Sequence, residues 1–191
     1  MKKVILLIFI MSISLFGKES NEFKKIDTFK AVITETSNLN NKKRIKEYEV
    51  LALLPDQLMK KMISPSINKG EIYLYNGEDK TIYYPILDQK ITQKVDKDEN
   101  YTLKFIRDLK SQTNDGDYKI IKSNNQIKEI IYNDGVTIKF ESFSQIKDIN
   151  FPSHVKIFDG KIEVSDLVIK NIEINTPISK KDFSIDEIIK N

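Results

Sequence analysis

The 191-residue chain contains no cysteine and no tryptophan, a single histidine, six glycines and five prolines. Each shortage removes a class of chemistry. Without cysteine there are no disulfides, no thiolate metal sites, no Cys nucleophile and no lipidated cysteine of the kind that tethers exported bacterial lipoproteins. His154 is the only imidazole, and a lone strand histidine is usually structural. No Gly-x-Ser-x-Gly elbow exposes a serine, no His-Glu-x-x-His helix holds zinc, and glycines are too sparse for a phosphate cradle or a dinucleotide fingerprint. The string Asp96, Asp98, Asn100 begins like a calcium loop, but Tyr101 stands where the sharp-turn glycine belongs and Arg107 where the bidentate glutamate belongs. Paired carboxylates could come from any of 28 acidic residues, and the sequence singles out none. The expectation is a protein that is not an enzyme and needs neither metal nor cofactor.

Long apolar runs are also absent, with one exception. Lys2 and Lys3 precede an apolar or small stretch over residues 4–17, after which charge returns at Lys18 and Glu19. That pattern reads as a secretory signal peptide, residues 1–17, followed by a single domain over residues 18–191. The stretch is shorter than the ~20 residues that span a bilayer; an uncleaved N-terminal anchor is the alternative. Residues 18–191 keep 29 basic and 28 acidic side chains, a net charge of +1. No electrostatic case for nucleic acid survives that balance.

What remains is patterned for antiparallel strands. Four of the five glycines beyond residue 17 follow Asn or Asp, at Asn76-Gly77, Asp115-Gly116, Asp134-Gly135 and Asp159-Gly160, and such pairs tolerate the positive φ angles of tight hairpins. Val136, Ile138 and Phe140 alternate with Thr137, Lys139 and Glu141, a half-buried strand. Tyr48, Val50, Ala52 and Leu54 line one face of an earlier strand while Leu51 and Leu53 make the other face apolar, so that strand is covered on both sides. Over residues 161–175 the alternation breaks near Asp166, which predicts either a bulge in one long strand or two shorter strands.

Two stretches have helical spacing: a short one from Ser20 to Asp27 carrying Phe23 and Ile26, and one capped by Asp98 and running to about Leu109. In the second, Leu103, Phe105, Ile106 and Leu109 form an apolar stripe, with Lys104, Arg107, Asp108 and Lys110 expected to face away. Six strands are predicted before this helix and about five after it. A lone amphipathic helix so placed must lie over the sheet or its mouth.

The densest aromatic region is residues 48–89, with Tyr48, Tyr73, Tyr75, Tyr83 and Tyr84. Tyrosine offers a large apolar face and a hydroxyl that wants a partner, which suits the wall of an amphiphile pocket. It suits an ordinary half-buried sheet equally well.

The order of motifs in this region, Leu54-Pro55-Asp56-Gln57-Leu58, Ser64-Pro65, Tyr75-Asn76-Gly77 and Tyr83-Tyr84-Pro85, resembles the LolA-like outer-membrane lipoprotein carrier proteins. Residues 23–36 look like that family's first helix and Phe-containing first strand, and Asn175 with Ile178-Ser179-Lys180-Lys181-Asp182-Phe183 looks like its closing strand. The resemblance implies a mainly β, α+β fold: an incomplete antiparallel β-barrel of about eleven strands around an apolar cavity, with a helical lid. It implies a monomeric periplasmic carrier that takes lipoprotein acyl chains from an inner-membrane lipoprotein-releasing transporter to an outer-membrane acceptor. Carriers of other lipids and periplasmic lipoprotein sensors share the fold, and a secreted protein with a filled core is the plain alternative. On this reading Tyr48, Val50, Ala52, Leu54, Leu58, Met62, Tyr73, Tyr75, Ile82 and Tyr84 form the cavity wall, with Leu58 near its mouth. Leu103, Phe105, Ile106 and Leu109 belong to the lid. The chain departs from the family at Leu54, where the best-known carriers have an arginine thought to hold the lid closed.

Overall fold

Asx-Gly pairs close three of the hairpins that build the sheet. Gly77, Gly135 and Gly160 adopt φ of 60°, 93° and 56°, a region that L-residues with a Cβ rarely enter, and each sits between two paired strands. The computed structural model describes residues 22–39, 42–95, 101–111, 117–124 and 126–190, except the side chains of residues 39 and 101–103. The fourth pair, Asp115-Gly116, and the proposed caps Ser20 and Asp98 lie outside the described residues.

Eleven strands form one antiparallel sheet: β1 (Thr28–Leu39), β2 (Lys42–Leu53), β3 (Gln57–Ser64), β4 (Ile72–Asn76), β5 (Asp79–Tyr84), β6 (Gln89–Lys94), β7 (Tyr118–Ser123), β8 (Gln126–Tyr132), β9 (Val136–Ile146), β10 (Ile149–Asp159) and β11 (Ile162–Ile174). Their order is β6-β5-β4-β3-β2-β1-β11-β10-β9-β8-β7. Every pairing is between chain neighbours except β1 with β11, the long-range seam that joins the two halves. β6 and β7 stay unpaired with each other, so the barrel is open. The helix α1 (Tyr101–Ser111) enters the chain between those two edges.

β11 is one strand of 13 residues. It keeps its continuity through two irregularities, one where Ile157 pairs with Ser165 but Phe158 with Glu163, and one where Lys30 pairs with Glu173 but Val32 with Lys170. A bulge therefore explains the broken alternation, a little before Asp166 at Val164, and Asn171 takes the second at φ 52°. Extra residues in one strand bend it, which helps a sheet curl.

The curled sheet has two apolar faces of different size. The concave face packs Phe29, Ala31, Ile33, Tyr48, Val50, Ile130, Ile138, Phe140, Phe151, Val155, Leu167 and Ile169 into one continuous core with Phe23 and Ile26 from a 3-10 turn over Glu22–Lys25. Phe151 stacks on Phe29 with ring centroids 5.0 Å apart and meets Phe23 edge-on at 6.3 Å. On the convex face, Met59 and Ile72 pack with Phe183 and Ile185, and Leu51, Leu53, Leu74 and Tyr83 join them. That confirms the two-sided burial of β2. The segment over it corrects the expected closing strand: Lys180–Phe183 is a 3-10 turn and Ile185–Ile188 a short helix, α2. Ser179 and Asp182 form a capping box that starts the turn, and Phe183 and Ile185 bury their side chains by folding onto the sheet rather than pairing along its edge.

Candidate functional site

Register places the aromatic strands of the first half on one face. Tyr48, Val50 and Ala52 of β2 lie opposite Met62, Lys60 and Leu58 of β3; Leu58 and Lys60 lie opposite Tyr75 and Tyr73 of β4; Tyr73 and Tyr75 lie opposite Ile82 and Lys80 of β5. Directly opposed antiparallel residues share a face, so the predicted wall residues are brought together on the concave side, and Leu54 joins the same core from the turn before β3. Tyr83 has the other parity and packs on the convex face, with its hydroxyl 3.0 Å from Asp88.

The wall divides into a closed part and an open part. Tyr48, Val50, Ala52, Leu54, Leu58 and Met62 are buried in the core that contains Phe105, Ile106 and Leu109 of α1. Leu58 is enclosed, 1% exposed, rather than at a rim, while α1 meets Phe140 of β9, Tyr132 of β8 and the 3-10 turn before β1. Ile82 is also buried. Tyr73, Tyr75 and Tyr84, by contrast, are half-buried, and Ile91, opposite Ile82 on β6, is 48% exposed.

α1 is held by polar as well as apolar contacts. Asp108 accepts a hydrogen bond from the Tyr132 hydroxyl at 2.7 Å, and the Lys104 ammonium lies 4.5 Å above the Tyr132 ring. Both charged residues are therefore buried against β8 and do not face away as the spacing predicts; an apolar stripe alone leaves the flanking positions of a helix within reach of a curved sheet. Lys110 donates to the Ile26 carbonyl and to Asp27 at 2.8 Å. These anchors lie at β8 and at the 3-10 turn. Leu54 belongs to the same apolar core as Phe105, Ile106 and Leu109 of the helix. The Leu103 side chain lies outside the described residues.

Sequence reasoning missed a polar strip on the concave face. Glu35 of β1 accepts from the Tyr48 hydroxyl at 3.0 Å, from Ser165 at 3.4 Å, and faces the Lys60 ammonium at 3.5 Å. Lys60 lies 3.6 Å over the Tyr48 ring. Farther along, Glu71 is buried and accepts from Tyr73 at 2.7 Å and from Asn68 at 2.9 Å. Burial, together with this bond to a carboxylate, pushes the Tyr73 phenol well above the usual tyrosine range. Lys60 could have been found from the strand parity, since it interrupts the apolar run Leu58, Lys60, Met62.

Burial is also the main cause holding the Lys60 ammonium below the usual lysine range, opposed by Glu35 and aided by repulsion from Lys46 and Lys80. The folded chain thus releases this proton at lower pH than the unfolded chain, whose reference value is 10.5. Between those two values the unfolded state binds more protons, so the Lys60 contribution to stability rises with pH; it is complete above 10.5 and absent below the folded value. Urea titrations across the alkaline range should show the wild type gaining on Lys60→Met as pH approaches 10.5. A pH-independent difference would refute the assignment.

The second feature missed lies at the edge of the tyrosine wall. Ile67, Lys69, Glu71, Tyr84, Pro85, Ile86 and Leu87 line a pocket of about 260 Å³, and Ile67, Ile86 and Leu87 are 74%, 79% and 62% exposed. The sequence signal was Ile67 two residues after Pro65 and Ile86-Leu87 directly after Pro85. His154, on the opposite parity of β10, is fixed 2.7 Å from Asp166, beside the Lys156 to Glu163 pair. No helix among the described residues is long and apolar enough to cross a membrane.

No family model and no curated protein matches the chain. Solved structures do. A LolA superfamily protein from Nitrosomonas europaea superposes with a TM-score of 0.62 at 17% identity, covering 88% of this chain and 95% of its own. A putative outer membrane lipoprotein-sorting protein domain from Vibrio parahaemolyticus gives 0.58 at 11%, covering 86% and 92%. This chain has the LolA-like fold. A DUF1329 family protein from Desulfovibrio piger, with a TM-score of 0.61 at 10% identity over 87% of this chain and 93% of its own, has the same architecture. The LolA-like fold accounts for the open eleven-stranded barrel and for the helix that crosses its concave side.

Proposed function

We propose that this protein is an exported periplasmic carrier that binds the acyl chains of lipoproteins and shuttles them from the inner to the outer membrane, with residues 1–17 as its cleaved signal peptide. The observation that carries the reading is the concave face itself. Its aromatic wall continues past the buried part, through Tyr73, Tyr75 and Tyr84, into an apolar pocket. An acyl chain gains ~0.8 kcal/mol for each CH₂ taken out of water, so such a wall needs no catalytic group to hold cargo. The pocket volume of about 260 Å³ is below the ~300–1,000 Å³ of sites that enclose small ligands. It suits the end of a chain, and a whole acyl group would need further room in the core.

α1 is the element that would move. Displaced, it would open the apolar core it shares with the sheet to cargo; returned, it would restore the packing of Phe105, Ile106 and Leu109 in that core. Carrier and cargo then compete for one apolar surface, which keeps binding reversible. The polar anchors at Tyr132, Asp27 and the Ile26 carbonyl would hold the closed state in the absence of an arginine at position 54. The partners on this reading are an inner-membrane lipoprotein-releasing transporter and an outer-membrane acceptor.

Native mass spectrometry of protein purified from its own envelope should reveal bound lipid or lipoprotein, and the purified chain should take up a fluorescent fatty acid. Neither bound lipid nor uptake would sink the carrier reading. Cross-linking in cells separates its partners: capture of a lipoprotein-releasing transporter supports the shuttle, whereas capture of a signalling protein supports a sensor on the same fold.

A further inference from the structure

We propose that the end of the sheet formed by the β1–β2, β3–β4 and β5–β6 connections docks on an anionic lipid bilayer, with Ile67, Ile86 and Leu87 dipping into the interface and Lys42, Lys43 and Arg44 on its head groups. The proposal goes beyond the carrier reading, which concerns what the cavity holds rather than the surface on which the chain rests.

Strands β1 to β6 pair antiparallel in chain order, so alternate connections open at the same end. The β3–β4 and β5–β6 connections touch there: a Cβ on Gly70 would lie 3.4 Å from Pro85 Cγ, and Ile67, Ile86 and Leu87 line the one pocket between them. All three side chains are largely exposed, yet their backbone is tied. Asn68 and Lys69 donate to the Pro65 and Ser66 carbonyls at 3.0 and 3.2 Å, and Leu87 donates to the Tyr84 carbonyl at 3.2 Å. Asp88, at φ 47°, accepts from the Tyr83 hydroxyl at 3.0 Å. Bonded turns thus hold a cluster of large apolar side chains in water, the mark of a contact site.

Size and charge together identify the occupant. Three side chains fall far short of the ~800 Å² that each partner contributes to a stable protein interface, whereas a bilayer takes in small apolar protrusions without a matching pocket. The neighbouring β1–β2 hairpin runs past the last β2–β3 pair, Glu47 with Ser64, and its exposed end carries Lys42, Lys43 and Arg44 opposite Leu39, Asn38 and Ser37; residues 40 and 41 are asparagines. No acidic residue faces that basic run across the hairpin. Lys69 adds a further exposed cation beside Ile67, while Glu71 is buried under Tyr73 and Asn68. Apolar tips beside exposed cations suit an anionic membrane surface. The other half of the sheet turns Asp134 and Asp159 towards the same end, so the first half alone faces the bilayer. Contact of this size is of the marginal, reversible kind that a single acyl anchor gives, ~10⁴ M⁻¹, and it sets the pocket against the membrane.

The test uses the chain from Lys18 onward, which contains every described residue, and sediments it at low ionic strength with vesicles of dioleoylphosphatidylcholine, alone or with an equal share of dioleoylphosphatidylglycerol. Binding should be tighter to the anionic vesicles by about tenfold or more. Replacing the basic run, Lys42→Gln with Lys43→Gln and Arg44→Gln, should bring that ratio close to one. Ile86→Ser with Leu87→Ser should weaken binding to the anionic vesicles by about tenfold. Because the chain has no tryptophan, Leu87→Trp supplies a single reporter: its emission should shift to the blue on anionic vesicles and be quenched by brominated lipid, whereas Ile131→Trp, on β8 of the other half, should do neither. Equal affinity for the two vesicles, or no shift in Leu87→Trp, overturns the docking surface. So does a dimer, seen by sedimentation velocity without lipid, that Ile86→Ser with Leu87→Ser dissociates, since a second copy then covers the patch. Uptake of a fluorescent fatty acid in free solution reads the carrier function separately. Uptake without vesicle binding overturns the docking surface and leaves the carrier reading standing; vesicle binding without uptake does the reverse.

Discussion

Phe151→Ala should destabilise the protein by about 3–5 kcal/mol, the range for truncating a fully buried phenylalanine. The ring is 0% exposed and sits where three separate parts of the chain converge. It stacks on Phe29 of β1 at 5.0 Å and takes Phe23 of the first turn edge-on at 6.3 Å. β1 is the strand that joins the two halves of the sheet through its pairing with β11, so the cavity left by the substitution opens at the seam of the barrel. Against a typical domain stability of about 5–15 kcal/mol, the loss is a large fraction of the total. Urea denaturation of wild type and variant measures it directly; a change below about 1 kcal/mol would show that the three rings do not act as the closing contact.

Leu58→Glu and Tyr75→Glu should give opposite outcomes although the two residues face each other across β3 and β4. Leu58 is 1% exposed and packed in the core that includes the α1 side chains. A carboxylate there has no partner and no water, and the expected loss is roughly 4–5 kcal/mol or more. Tyr75 is half-buried on the open part of the wall, beside the Lys80 ammonium. A glutamate at that position stays in reach of water and of a cation, so the fold should survive while the apolar wall is broken. Affinity for a neutral fluorescent lipid should then fall by roughly tenfold, equivalent to ~1.4 kcal/mol. Thermal unfolding and lipid titration on both variants separate the two effects. If Tyr75→Glu binds lipid as the wild type does, cargo does not contact that wall; if Leu58→Glu is as stable as the wild type, the core does not enclose Leu58.

This contrast marks the limit of what strand parity reveals. Alternation put Tyr48, Val50 and Ala52 on one face because successive strand side chains point to opposite sides, and the register confirms it. The same rule marked Val136, Ile138 and Phe140 as buried, as they are. Parity says which face a residue is on but not what lies over that face. Leu58 and Tyr75 read alike in the sequence, and only tertiary packing makes one of them core and leaves the other half-buried. Asp108 and Lys104 show the same limit on the helix: its period marks the apolar stripe, whereas the partner Tyr132 comes from a strand 24 residues away. The resemblance implies a closing strand over residues 178–183, whereas the fold of that segment depends on the Ser179 to Asp182 capping contacts and on the apolar patch of Met59 and Ile72 that receives Phe183 and Ile185.

The sequence by itself determined the antiparallel character, the placing of hairpins at Asn76-Gly77, Asp134-Gly135 and Asp159-Gly160, the two-sided burial of β2 and the insertion of one amphipathic helix between two runs of strands. These follow from local rules, positive φ at glycine and periodicities of 2 and 3.6, that act within a few residues. Tertiary structure alone decided which stretch of the concave wall is filled and which is open, where α1 is anchored, and that Lys46, Lys60 and Lys80 meet on one face with Glu35. Those outcomes depend on pairings between distant strands and on side chains that reach across them, and no local pattern encodes a distance between residues that come together only when the sheet curls.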